Sequence, residues 1–188
     1  MSLSQSLYLG LLGLVGVERL VELVLSRRNA RTALAQGAKE YGAAHFPVMA
    51  AMHFLFLVSC AVEVMALHRA FAPALGVPAL LAELLGQGLR YWAIATLGSR
   101  WNVRIFVIPG SAPVTSGPYR FVRHPNYVAV VIDILALPLI HGAWMTALVF
   151  TLANAAMLYV RIRAEERALG DIYAASFADK PRFMPVGS

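Results

Sequence analysis

Apolar and polar positions alternate along this chain in long blocks, not residue by residue. Five blocks are dominated by apolar side chains: about Leu7 to Leu25, Phe46 to Leu67, Leu75 to Leu97, Pro125 to Ile140 and Ala143 to Val160. Each of the first three has roughly the 20 residues that an α-helix needs to cross a hydrocarbon core. The last two are shorter, and only His141-Gly142 separates them. That spacing predicts a tight antiparallel helical hairpin, with Pro138 kinking or ending the fourth helix.

Polar residues inside these blocks need partners, because a charge in hydrocarbon is costly unless it is paired, faces a cavity or acts. Glu18 and Glu22 share a face of the first helix, beside Arg19. Glu83 and Arg90 share a face of the third, and Asp133 sits midway along the fourth. Pairing between helices, with Arg19 or Arg90 as the cation, is the expected arrangement. His45 and His53, eight apart on one helix, are read as packing or interface residues. Gly10, Gly13, Gly16, Gly86 and Gly88 are expected to permit close helix packing.

Between the blocks, residues 26–44 suggest an interfacial loop with a short helix. Residues Trp101 to Thr115 mix β-branched and polar positions, which predicts a short extended pair turning at Pro109-Gly110. A dense polar cluster follows, Gly117-Pro118-Tyr119-Arg120-Phe121-Val122-Arg123-His124-Pro125-Asn126-Tyr127. It opens on a Gly-Pro turn signal and closes on a proline suited to the first turn of the next helix.

Composition agrees with a membrane reading. Of 188 residues, 59% are hydrophobic and 14% charged, with a mean hydropathy of +0.65. The fold class implied is an all-α integral membrane protein of about five transmembrane helices, a single domain over 1–188. The net charge of +6 fits membrane topology better than nucleic acid. Thirteen Arg and Lys fall in the first-to-second and third-to-fourth connections and the tail, against Arg69 alone on the other side. The positive-inside rule then puts the N-terminus outside and the tail in the cytoplasm. No basic stretch precedes the first block, so it is read as a retained helix. Cys60 stands alone, and the five His show no metal-ligand spacing. No Gly-x-Gly-x-x-Gly or Walker loop is present.

The Gly-Pro-Tyr-Arg-x-Val-Arg-His-Pro-Asn-Tyr run strongly resembles the signature of the isoprenylcysteine carboxyl methyltransferase family. A second element of that family appears as Arg161-Ile-Arg163-Ala-Glu165-Glu166-Arg167-Ala-Leu169, followed by Tyr173, Phe177 and Pro181-Arg182-Phe183-x-Pro185. The resemblance covers roughly residues 95–186. It implies a bacterial plasma-membrane enzyme that uses S-adenosylmethionine in a cytoplasmic C-terminal region and acts on a lipophilic small molecule. The absence of metal-ligand spacing and the distribution of charge already point to no metal and no nucleic-acid partner. By the same resemblance, Tyr119, Arg123, His124, Asn126 and Tyr127 belong to the cofactor pocket. Glu165 or Glu166 would accept hydrogen bonds from the cofactor, while Tyr173 and Arg182 would close the pocket from the tail.

For the acceptor two chemistries stay open. A carboxylate is ionised at neutral pH and needs only orientation, for which Arg163 with Asn154 is the candidate. A phenol such as an alkylresorcinol has a pKa near 10 and needs a base, for which His124 or Glu165 is the candidate. The lipid tail is expected to enter near the fourth and fifth helices. A membrane NADPH-dependent reductase of related architecture and a non-enzymatic scaffold are the competing readings.

Overall fold

The computed structural model describes residues 1–183; Pro185 of the tail motif lies outside the described residues. The described residues are predominantly helical and form five α-helices: α1 (Leu3–Ala35), α2 (His45–Ala66), α3 (Pro73–Leu97), α4 (Pro125–Leu139) and α5 (Trp144–Ser176). α2 and α5 are long and apolar enough to cross a membrane, which together with the other apolar helices is consistent with a membrane protein. α4 has 15 residues, about 22 Å of helix against a core of about 30 Å. It ends one residue past Pro138, as the sequence suggests.

Local chemistry sets the helix ends. Ser2 caps α1 through a capping box: the Gln5 amide donates to Ser2 Oγ at 3.2 Å and the Ser2 amide to Gln5 Oε1 at 2.9 Å. Glu63 of α2 does the same work for α5 across the bundle. It accepts from the Thr146 amide at 2.7 Å, Thr146 Oγ1 at 2.8 Å and the Met145 amide at 3.3 Å. Those amides open a helix and have no intrahelical acceptor, and the carboxylate also suits the positive end of the helix dipole.

α3 packs most extensively on α4, and α4 on α5. At the α3–α4 crossing a Cβ on Gly86 would meet Ile132 Cγ2 at 2.8 Å, so glycine sets the approach there. Gly10, Gly13 and Gly88 have nothing within 4 Å, and Gly16 touches only Leu57 at 3.9 Å. Those four do not mediate close packing. The apolar core joins Tyr8, Phe56, Cys60, Val64, Ile134 and Leu137.

The helix-embedded charges pair between helices, as expected. Arg90 of α3 bonds Asp133 of α4, and its Nη1 lies 3.7 Å from Glu22 of α1. Arg19 holds Glu22 at 2.8 Å and Glu18 at 3.1 Å, and lies 3.7 Å from Asp133. Gln87 links Arg19 to Glu83.

Two connections differ from expectation. α1 continues to Ala35, through what reads as an interfacial loop. The turn at Pro109-Gly110 forms, but the strand before it does not pair across that turn. β2 (Ile105–Val107) pairs antiparallel with β1 (Lys39–Tyr41), with Glu40 opposite Phe106. Arg104 clamps the pair through two 2.6 Å bonds to Glu40.

Candidate active site

The site is built where the two sequence motifs meet. Gly117 starts the first one in a left-handed conformation, φ 56°, with a Cβ position only 2.3 Å from Thr96 Oγ1. Only glycine fits this turn against α3. The turn delivers His124 to the head of α4. There its ring stacks on Tyr127 at 5.3 Å and leans on Tyr173 at 6.3 Å. α5 brings in the second motif and then breaks at Gly170, φ 67° and ψ −161°. The chain past that break turns back onto the first motif. The Arg123 amide donates to Pro181 O at 3.0 Å and the His124 amide to Arg182 O at 3.2 Å. Arg123 Nε donates to Lys180 O at 2.6 Å, and the Tyr173 hydroxyl to Arg123 O at 3.3 Å.

Above this junction lies a cavity of about 700 Å³, within the range of small-molecule sites, about 300–1,000 Å³. Its walls include Tyr119, Arg123, His124, Asn126, Tyr127, Asn154, Glu165 and Tyr173, all expected from the sequence. Tyr127 donates its hydroxyl to Glu165 at 2.5 Å. Asn154 is 3% exposed. Asn126 Oδ1 is buried without a partner.

Three expected site residues stand elsewhere. Glu166 is behind His124 and outside the cavity wall. It meets His124 Nε2 at 3.2 Å and accepts two bonds from Arg182 at 2.9 and 2.7 Å. Burial pushes its carboxyl up, but the hydrogen bonds and charges of Arg182 and His124 outweigh this and hold it below the ordinary carboxylate value. Arg182 is half-exposed, so it closes the junction and does not face the cavity. Arg163 points away: it is exposed, lies over the Tyr159 ring at 4.8 Å, and borders a small outer pocket with Glu166, Arg167 and Arg182.

A buried arginine of α5 that lines the cavity is Arg161, which sequence reasoning did not single out for the site. It is 4% exposed. Its Nη2 donates to Val103 O at 2.8 Å, its guanidinium lies 6.0 Å from the Tyr127 ring, and its Nε has no partner. The signal for it is helical phase. Asn154 and Arg161 are seven residues apart, about two turns, so they share a stripe; Arg163 is nine on, about two and a half turns, and falls opposite. Trp101, 2% exposed, also lines the cavity and has an unpartnered Nε1.

At its far side the cavity runs between α1 and α2, where Leu20, Phe54 and Val58 line it while also being exposed at the protein surface. That edge is one place where the cavity meets the outer surface; the exposed turn at Pro109-Gly110 and Ile172 of α5 line it as well. Among the described residues, no group of three or more His, Cys, Asp or Glu is gathered to hold a metal ion.

Burial raises the phenols of Tyr119 and Tyr173 well above their ordinary value, with the charge of Glu165 adding to it in both cases. Both stay protonated at neutral pH. The site is thus an aromatic wall, a buried guanidinium and a carboxylate, arranged around one space.

Comparison with known proteins fits this arrangement. Residues 79–171, which hold most of α3, all of α4, the first motif, the Arg161–Leu169 element and most of α5, match the model of the isoprenylcysteine carboxyl methyltransferase (ICMT) family. The uncharacterized protein YpbQ of Bacillus subtilis is 40% identical over 162 residues, 85% of this chain and 94% of that protein. An uncharacterized protein of Haemophilus influenzae is 27% identical over 161 residues, 84% and 92% of the two chains. The cobalt-zinc-cadmium resistance protein CzcN of Cupriavidus metallidurans is 35% identical over 104 residues, 55% of this chain and 48% of that protein. With its two motifs folded onto one cavity, the chain belongs to the isoprenylcysteine carboxyl methyltransferase family, a membership that suggests a membrane methyltransferase.

Proposed function

We propose that the protein methylates an acidic oxygen of a lipophilic acceptor, with S-adenosylmethionine as the methyl donor. The first acceptor class is a lipidic carboxylate such as that of isoprenylcysteine. The observation that carries the reading is the cavity that Arg161 and Asn154 share with His124, Tyr127 and Glu165, running to an apolar edge between α1 and α2.

The residues fit this donor. Glu165 is an acceptor for its ammonium or ribose hydroxyls, Tyr119 and Tyr127 offer flat surfaces to its adenine, and the unpartnered Asn126 Oδ1 is a further acceptor. Bound S-adenosylmethionine supplies an electrophilic methyl group. His124 is held in place by Glu166, which is itself held by Arg182, so tail closure and pocket shape are linked. Arg161 orients the acceptor oxygen through its unpartnered Nε–H and keeps it ionised in a water-poor space. For a carboxylate no base is needed, and alignment and desolvation are the main contributions of the protein. A phenolic acceptor is the second reading. It is favoured by Glu165, whose Oε2 takes the Tyr127 hydroxyl and whose other oxygen is available to take a proton.

Calorimetry in detergent tests the donor: S-adenosylmethionine binds and NADPH does not, while the reverse would support a reductase. A pH–rate profile separates the acceptor classes. It stays flat above about pH 6 for a carboxylate and climbs toward alkaline pH for a phenol. The five helices are read as spanning the membrane with both motifs at the cytoplasmic face, on the thirteen-to-one charge asymmetry. Reporters fused at the two termini should therefore read external at the N-terminus and cytoplasmic at the C-terminus.

A further inference from the structure

The cavity does not end at the motif junction. Its other end is lined by His53 of α2, Arg19 and Glu22 of α1, and Arg90 of α3. Two groups there, His53 and Arg90, both carry an unpartnered atom and line the cavity, whereas the cluster's other unpartnered atoms, Glu83 Oε2 and Asp133 Oδ1, belong to residues outside its wall. His53 Nδ1 lies 2.9 Å from Met49 O. A carbonyl only accepts, so Nδ1 carries the hydrogen, and in the neutral ring Nε2 is an acceptor. That Nε2 has no partner among the described hydrogen bonds. The charged groups that act on it are Arg90, Arg19 and Asp133. Arg90 is 5% exposed, and its Nε is buried without a partner, although its Nη atoms face Asp133 and Glu22.

An unpartnered acceptor on α2 and an unpartnered donor on α3 thus line the same end of one cavity. The pair is complementary to a hydroxyl, which both donates and accepts. The buried Arg90 Nε is left unmatched, which is unfavourable in an apolar setting, and the surrounding walls of Leu20, Leu23 and Leu57 offer no substitute.

We propose that His53 and Arg90 form a second polar subsite, which holds a hydroxyl carried by the lipophilic acceptor in addition to the oxygen that is methylated. The inference rests on the methyltransferase reading for the identity of that acceptor, but the subsite itself is testable by binding alone. It selects hydroxylated acceptors over otherwise identical ones. The apolar chain then leaves between α1 and α2.

The test uses matched probes on the full-length protein in detergent: 3-pentadecylphenol against 5-pentadecylresorcinol, and palmitic acid against 3-hydroxypalmitic acid. Affinities are measured by calorimetry for wild type, His53→Phe and His53→Gln. At least one hydroxylated probe should bind wild type about five- to tenfold more tightly than its partner, beyond the statistical factor of two for the resorcinol. His53→Phe should reduce that ratio to about one without weakening the partner probe, and His53→Gln should retain part of it. Equal affinities within both pairs for wild type, an unchanged ratio in His53→Phe, or no binding of any probe would overturn the proposal. S-adenosylhomocysteine is titrated into the same samples. Its failure to bind would count against the methyltransferase reading, while the probe ratios alone would still decide whether the subsite exists.

Discussion

Two polar regions sit in this apolar molecule and they are built differently. In the α1–α3–α4 cluster nearly every charge is answered by another on a rigid helix: Arg90 by Asp133 and Glu22, Arg19 by Glu18, Glu22 and Gln87. At the motif junction the partners come from a turn, a helix end and the returning tail, and Arg161 Nε, Asn126 Oδ1 and Trp101 Nε1 have no partner among the described residues. Charge pairing between helices makes the first region a structural joint, although Arg90 Nε, Asp133 Oδ1 and Glu83 Oε2 have no partner among the described residues. In the second, the unpartnered atoms all belong to residues that line the cavity, which makes it a place for a ligand.

The largest expected effect tests the joint. Asp133→Leu removes the close partner of Arg90, which then has only Glu22 at 3.7 Å, and removing one partner of a buried pair costs about 3–5 kcal/mol. The melting temperature in detergent should fall by on the order of 10 °C. A variant that melts like wild type would mean the cluster does not hold the fold together.

Next comes the junction. Arg161→Leu removes the group that orients the acceptor, an effect of about 1.5–3 kcal/mol for a charge-assisted bond, or about ten- to a hundredfold in transfer rate. Affinity for the donor should change less than threefold. If donor affinity collapses and the rate of saturated enzyme does not, Arg161 serves the cofactor instead.

A smaller effect belongs to the Glu166–Arg182 pair, whose arginine is half-exposed and whose worth is within about 1 kcal/mol. Because the Glu166 carboxyl is held below 4.5 when folded, its contribution is present above that value and lost as pH falls through the lowered one. The melting-temperature gap between wild type and Glu166→Gln should be constant at neutral pH and close on acidification. A gap that widens in acid would reverse the sign of the interaction.

The smallest effect is Arg163→Ala, which should leave transfer within about twofold, as surface changes usually do. This departs from the first expectation for that residue, and the reason shows what the sequence makes legible. The apolar blocks are long and uniform, so five helices can be read directly, and buried charges in them predict their own pairing. Family motifs locate the pocket walls from Tyr119 to Tyr127 and at Glu165 and Tyr173. Three features were harder. Residues 26–35 are basic and polar, which hides the continuation of α1. The partner of β2 lies over 60 residues upstream, beyond any local alternation signal. Choosing between Arg161 and Arg163 requires the phase of α5 relative to Asn154, which the motif alone does not carry.

The most direct test of the central claim is transfer of a labelled methyl group from S-adenosylmethionine to a panel of prenylcysteines, fatty acids and alkylphenols. Wild type, Arg161→Leu and Arg163→Ala are compared under saturating donor. Wild type and Arg163→Ala should place label in a lipophilic acceptor, with a loss of about ten- to a hundredfold in Arg161→Leu. Full activity in Arg161→Leu alongside an inactive Arg163→Ala would contradict the claim.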